Sequence, residues 1–155
     1  MTREVVKYPD STLRKKSGEI GEITNKIRKL TQDIKETMFA NQGVGLAAPQ
    51  IGALKRVIAI QAKTPSVFIN PKIIKKSRET TLEQEGCLSF PGLFLKIKRA
   101  KEIEVEALDE SGKKISLKTE GPLARVFQHE IDHLDGILFV DRLSFWQKLK
   151  IKLWP

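Results

Sequence analysis

Gln128-His129-Glu130-Ile131-Asp132-His133 decides how this chain is read. On an α-helix, side chains four residues apart lie roughly 40° from each other around the axis and one turn apart along it. His129 and His133 are therefore set to bind one metal ion from a single helix face. Glu130 lies beside them, placed as general base toward a metal-activated water. The chain has two histidines and both fall in this hexad, an arrangement that scattered core or surface histidines would rarely produce. The flanks also favour a helix. Gly121-Pro122 offers a start with proline in the first turn, and Leu123, Val126, Phe127 and Leu134 form an apolar stripe. Gly136 is a natural C-terminal stop.

Such a site needs a third ligand. Catalytic first-row metals commonly take three protein ligands plus water, and Cys87 is the one remaining His or Cys in the sequence. It sits in Glu85-Gly86-Cys87-Leu88-Ser89-Phe90-Pro91-Gly92, whose glycines and proline favour a shaped turn or short strand. A lone cysteine is often just a small buried hydrophobe, and Glu83 and Glu85 are rival ligands. Two imidazoles with a thiolate suit zinc, iron(II), nickel or cobalt equally.

At 155 residues, with 40% apolar and 30% charged residues, the composition is that of one ordinary soluble domain, residues 1–155, ending in a short tail, 144–155. No apolar run approaches the ~20 residues needed to span a bilayer, and the N-terminus carries no signal or transit pattern. A cytoplasmic location is the default expectation. One cysteine excludes an intramolecular disulfide, which agrees with a reducing compartment. The net charge of +9 permits weak attraction to a polyanion such as a ribosome. The lysines are dispersed and no aromatic-interleaved motif accompanies them, which argues against sequence-specific nucleic-acid binding.

Along the chain, residues 1–22 read as irregular, with a turn at Tyr8-Pro9-Asp10. Ile27, Leu30, Ile34 and Met38 repeat at helical spacing behind Thr24 or Asn25 as N-cap, and the helix is expected to stop near Asn41-Gln42-Gly43. Gly43 to Gly52 reads as a buried loop close to a ligand, in which Gln50 is the one strongly polar side chain and needs a hydrogen-bond partner. Strands are expected at 56–61, 66–70, 72–76, 94–99, 103–108 and 114–118, the last two joined by a hairpin at Asp109-Glu110-Ser111-Gly112. Asn70-Pro71 is expected to break or edge a strand. After Ser144 a short amphipathic helix is expected, with Phe145, Trp146, Leu149 and Leu153 on one face and Lys148 and Lys152 beside it. Docking of this helix on the domain is the simplest role, and contact with a membrane surface or ribosome is the alternative. The fold class is α+β: mainly antiparallel sheet packed around the metal-binding helix, with an amphipathic N-terminal helix.

Three segments together resemble the signature motifs of the peptide deformylase family. They are Gly43-Val44-Gly45-Leu46-Ala47-Ala48-Pro49-Gln50, Glu85-Gly86-Cys87-Leu88-Ser89 and Gln128-His129-Glu130-Ile131-Asp132-His133. Their order and separations match the family, and the likeness runs from Tyr8-Pro9-Asp10 to Arg142-Leu143-Ser144. The resemblance implies Cys87, His129 and His133 as ligands to one divalent metal, iron(II) physiologically, with zinc, nickel or cobalt able to substitute. It implies Glu130 as proton shuttle, and Gln50 with the Leu88 N–H as donors to the formyl oxygen. Val44 and Gly45 then pair with an extended peptide, and Arg125 and Val126 join the substrate-binding residues. The implied reaction is hydrolytic removal of the N-formyl group from nascent formyl-methionyl peptides, releasing formate, by a monomer. A formyl carbon bears only hydrogen, so a tight cavity is expected to exclude an acetyl group.

Two features depart from the family pattern. Pro122 stands where leucine is frequent near the methionine pocket. Many members also continue into a long C-terminal helix implicated in ribosome docking, whereas this sequence reads Trp154-Pro155 at its end. Arg125, one turn before His129, is expected to lay its stem along the pocket with its head in solvent. A metallopeptidase or other deacylase with the same residues stays open at this point, as does a structural metal site. Glu130 with Gln50 argues against the last, since a purely structural site requires neither.

Overall fold

The computed structural model describes residues 1–63 and 66–151. Its elements are α1 (Asn25–Ala40), β1 (Gly45–Ala47), β2 (Val57–Ile60), β3 (Val67–Lys76), β4 (Thr80–Cys87), β5 (Phe90–Ala100), β6 (Glu102–Leu108), β7 (Lys114–Glu120), α2 (Gly121–Leu134) and α3 (Phe145–Ile151). Short 3-10 turns occupy Ser11–Arg14, Ala48–Ile51 and Phe139–Arg142. Five strands form one antiparallel sheet in the order β1-β2-β3-β6-β7, and β4 pairs with β5 in a separate hairpin. The class is α+β, as the sequence indicates.

The sheet lies between the two long helices. In β2, Val57 and Ala59 face α1 and pack with Leu30, Ile34 and Met38. Ile58 and Ile60 face the other way and pack against Ala124, Phe127, Ile131 and Leu134 of α2. All four residues of β2 are therefore buried. β6 alternates instead, with Ile103, Val105 and Ala107 inside, as expected of a strand with one wet face. A third apolar cluster, built on Leu13, Phe90, Ile97, Leu138 and Phe139, closes the hairpin against the end of α2.

Both helix ends follow from local chemistry. Thr24 caps α1, its hydroxyl accepting from the Ile27 N–H. α2 stops at Gly136, whose φ of 71° is left-handed. The Ile137 N–H returns to the Asp132 carbonyl and the Gly136 N–H to that of His133, closing a Schellman motif. A Cβ at position 136 would sit 2.4 Å from the Arg14 carbonyl oxygen, so this glycine also admits the N-terminal segment.

Several expectations are corrected. The Gly43–Gly52 stretch is not a plain loop: Gly45–Ala47 pairs with β2 as the sheet's edge strand, and Ala48–Ile51 forms a 3-10 turn. Asn70-Pro71 does not end a strand. β3 runs through it because the register shifts there against β6, with Asn70 at a left-handed φ of 51°. β4 is absent from the expected strands, since its outward residues are mostly polar and exposed. α3 does not dock through its aromatic face: Phe145 and Trp146 are exposed, and contact runs through Ile151 and from the Gln147 amide to the Lys96 carbonyl. The expected positions of Lys152 and Leu153 lie outside the described residues. No helix among the described residues is long and apolar enough to cross a membrane.

Candidate metal centre

The buried middle of α2 brings His129 and His133 to one side of the helix, their ring centroids 5.1 Å apart. The end of β4 delivers Cys87 to the same point, with Sγ 3.4 Å from Nε2 of His133. One ligand atom from each of the three lies within 4.8 Å of the others. The Sγ–Nε2 spacing is close to the edge of a tetrahedron built on metal–ligand bonds of roughly 2.0–2.3 Å. A thiol and two imidazoles, converging on α2, make a donor set that fits a first-row divalent ion.

A shell of charge behind the candidate ligands fixes them. Nδ1 of His129 faces Oε1 of Glu85 at 2.8 Å, leaving its other ring nitrogen for a metal. Glu85, a rival ligand in the sequence reading, is thus a partner of a candidate ligand. It also accepts from Nε and Nη2 of Arg99 at 2.9 and 3.0 Å and from Nη1 of Arg125 at 2.7 Å. Arg99 continues to Asp132, which Arg142 clamps from outside. Glu83 is exposed and stands apart.

Arg125 corrects an expectation. Its guanidinium does not reach solvent but is buried, donating to Glu85, the Ile97 carbonyl and Thr81. The physical reason is the Glu85 carboxylate, which a second guanidinium helps to neutralise inside the protein. Glu85 as orienter, with Arg99 and Asp132 behind it, escaped the sequence reading because its partners lie 14 to 44 residues away. The signal available was Glu85's place two residues before the candidate cysteine.

Burial penalises the Glu85 carboxylate, yet its hydrogen bonds with His129 and Arg99 outweigh that and hold it well below the usual range. His129 is likewise disfavoured as a cation by burial, but Cys87, Glu85 and Glu130 raise it well above an ordinary imidazole. His133 is lowered by burial and by the positive charge of His129 and Arg99. Burial pushes Glu130 up to about 7, and its Oε2 is buried with no hydrogen-bond partner.

Cys87, His129 and Glu130 open on a cleft of about 430 Å³ that is also lined by Val44, Gly45, Gln50, Leu88 and Phe94. Val44 is 62% exposed at its rim. Gly45 lies so near Glu130 that a Cβ there would meet Oε1 at 2.8 Å and Val126 Cγ1 at 2.9 Å. Gln50 is buried, and its Nε2 points to Cys87 Sγ at 3.6 Å. A cavity of similar size between β3, β6 and β7 is lined by Lys76, Glu102 and Lys118, among others, and holds no His or Cys.

Two imidazoles, a thiol and a carboxyl with an unpartnered oxygen, gathered at one cleft, are the donor set and acid–base group of a metallohydrolase. The polypeptide deformylase family model matches residues 2–149. Peptide deformylase of Thermodesulfovibrio yellowstonii is 45% identical over 96% of this chain and 97% of its own length. The crystal structure of peptide deformylase from Thermus thermophilus superposes with a TM-score of 0.92 at 41% identity, covering 98% of this chain and 92% of that one. That of Ehrlichia chaffeensis in complex with actinonin does so at 0.89 and 39%, covering 99% of both chains. The chain belongs to the polypeptide deformylase family, enzymes that hydrolyse the N-formyl group from the formyl-methionine of nascent peptides.

Proposed function

We propose that Cys87, His129 and His133 hold one divalent ion, iron(II) in the cell with zinc, nickel or cobalt as substitutes, and that Glu130, Gln50 and the Leu88 N–H carry out the deformylation. When bound, the ion supplies Lewis acidity that lets a water lose its proton near neutral pH. Glu130 takes that proton and returns it to the departing amine. Burial, which pushes this carboxyl up to about 7 in the metal-free protein, favours its taking up the proton. Gln50 Nε2 and the Leu88 N–H donate to the formyl oxygen as negative charge develops on it. Gly45 begins the edge strand β1, Val44 precedes it, and both line the cleft, so an extended peptide adds there as a further strand. Val126 packs behind Gly45, whereas the Arg125 guanidinium donates to Glu85.

The observation that carries this reading is the convergence of the three ligand side chains with the unpartnered oxygen of Glu130. Residues 1–155 act as one catalytic domain, a monomer in the cytoplasm where formylated chains emerge. The +9 charge favours weak ribosome contact. The deciding experiment is formate release from formyl-Met-Ala-Ser by anaerobically prepared, iron-loaded protein beside Glu130→Ala. Formate is expected from the native chain, with a loss of at least about a hundredfold in the variant and metal content unchanged. Absence of formate, or equal turnover in the variant, would overturn the assignment.

A further inference from the structure

We infer that Ser89 is a positioning residue that sets the Gln50 amide toward the reacting oxygen, through a hydrogen-bonded chain anchored on the backbone of Val6. The inference rests on the proposed role of Gln50 as a donor to the formyl oxygen. Gln50 Oε1 accepts from the Ala47 N–H at 2.9 Å, which fixes which end of the amide is oxygen. Its Nε2 donates to Ser89 Oγ at 3.1 Å. Ser89 is fully buried, and its hydroxyl donates to the Val6 carbonyl at 2.7 Å.

Counting protons settles the direction of this chain. A serine hydroxyl has one proton, and the Val6 carbonyl, a pure acceptor, takes it. Ser89 Oγ therefore presents only lone pairs to Gln50 and holds one of the two amide protons. The other proton is left on the side of Nε2 that faces Cys87 and the cleft. Without Ser89 the terminal amide torsion, which is intrinsically broad, keeps only the Ala47 N–H and the long contact to Cys87 Sγ.

The same N-terminal segment ties together both parts of the donor pair. The Val6 N–H donates to the Gln50 carbonyl at 2.7 Å, and the Tyr8 N–H to the Ser89 carbonyl at 2.9 Å. Lys7 Nζ reaches the Leu88 carbonyl at 2.9 Å. Gln50 lies in the 3-10 turn that follows the edge strand of the large sheet, while Leu88 and Ser89 form the turn of the β4–β5 hairpin. Val6 to Tyr8 is a strap across the two, and Ser89 is a buried side-chain link from it to Gln50.

A double-mutant cycle tests this, with formate release as the activity. Ser89→Ala is expected to lower kcat about tenfold, less than the 10²–10³ of losing an oxyanion donor outright, with KM within about twofold. In a Gln50→Ala background the same change is expected to have no further effect on kcat, because the amide it positions is gone. An equal kcat loss in both backgrounds would overturn the inference. A second readout needs neither activity nor a variant: hydrogen exchange of the Gln50 side-chain amide followed by nitrogen-15 NMR. One Nε2 proton is expected to be strongly protected, and exchange of both at the rate of a free amide would overturn the proposal. A native chain that releases no formate would sink the role of Gln50 instead, while the exchange measurement still reports on Ser89.

Discussion

Oε1 of Glu85 lies 2.8 Å from Nδ1 of His129, and the same carboxylate is held by Arg99 and Arg125. An imidazole that donates to a carboxylate through one nitrogen is a better-oriented and more basic ligand through the other. Glu85→Gln keeps the shape and removes the charge. Metal affinity should fall by about 10–100-fold, measured by competition with a chelator, while the fold survives. Glu85→Ala should do more harm, because the buried Arg125 guanidinium then faces no carboxylate and Arg99 keeps only Asp132. A cost of about 3–5 kcal/mol in unfolding free energy follows from breaking such a pair on one side. Equal affinity of Glu85→Gln and the native chain would mean that His129 needs no partner.

The protonation pattern makes a second prediction. Without a metal, His129 is raised well above an ordinary imidazole and Glu130 titrates at about 7. A divalent cation competes with the proton on His129 and favours the ionised form of Glu130. Loading should therefore release protons at neutral pH, and apparent affinity should weaken as pH falls below about 7. Calorimetric titration with zinc in buffers of different ionisation enthalpy counts the protons. A heat that does not depend on the buffer would contradict the pattern.

Gly45 leaves little space between the edge strand and Glu130, the proposed general base. A Cβ there would meet Glu130 Oε1 at 2.8 Å, Glu130 Cγ at 2.9 Å and Val126 Cγ1 at 2.9 Å, all inside normal contact. Gly45→Ala must push Glu130 aside, and a displacement near 1 Å at a catalytic group costs on the order of a hundredfold in rate. The expected result is a kcat lowered by that order with bound metal unchanged, read from steady-state rates and metal analysis together.

How far the sequence speaks for itself depends on the range of the interaction. α1 and α2 were legible because their caps, stripes and stops are local: Thr24 and Gly136 do in the structure what their residue types suggest. Cys87 was legible as a ligand candidate by elimination among three residues. β4 was hidden because Thr80, Glu83 and Gln84 show no apolar alternation, its pairing being set by the partner β5. The strand through Asn70 was hidden because side-chain bonds stabilise a backbone that proline chemistry disfavours. Asn70 Oδ1 accepts from the Ile20 N–H at 2.8 Å, and its Nδ2 donates to the Ile20 carbonyl at 2.7 Å. The partners of Ser89 and Glu85 are tertiary throughout, which no window along the chain contains.

The Asn70 pair is testable by stability. Asn tolerates the left-handed φ of 51° better than any β-branched or bulky residue, and it also supplies both hydrogen bonds to Ile20. Asn70→Gly keeps the backbone freedom and loses the two bonds, while Asn70→Ala loses both advantages. Urea unfolding should show a loss of about 1–3 kcal/mol for glycine and a larger one for alanine. Equal losses would mean that the backbone angle carries no strain.

Asp33 gives a pH prediction away from the metal centre. Its side chain is 1% exposed on α1 and is paired with Arg3, Lys29 and the amine of Met1. Burial disfavours its charge, but those partners prevail and lower it from 3.8 to about 2. A carboxyl group that is more acidic when folded contributes stability that is fully present above its unfolded pKa. That contribution fades as pH falls from about 4 through 2, because protonation then favours the unfolded chain. Asp33→Asn should therefore be less stable than the native protein by a nearly constant margin above about pH 5, with the margin shrinking steadily in acid. Thermal melts of both metal-free proteins from pH 7 to pH 2.5 measure it. A margin that stays constant down to the lowest pH would show that the ion pairs of Asp33 do not contribute to stability.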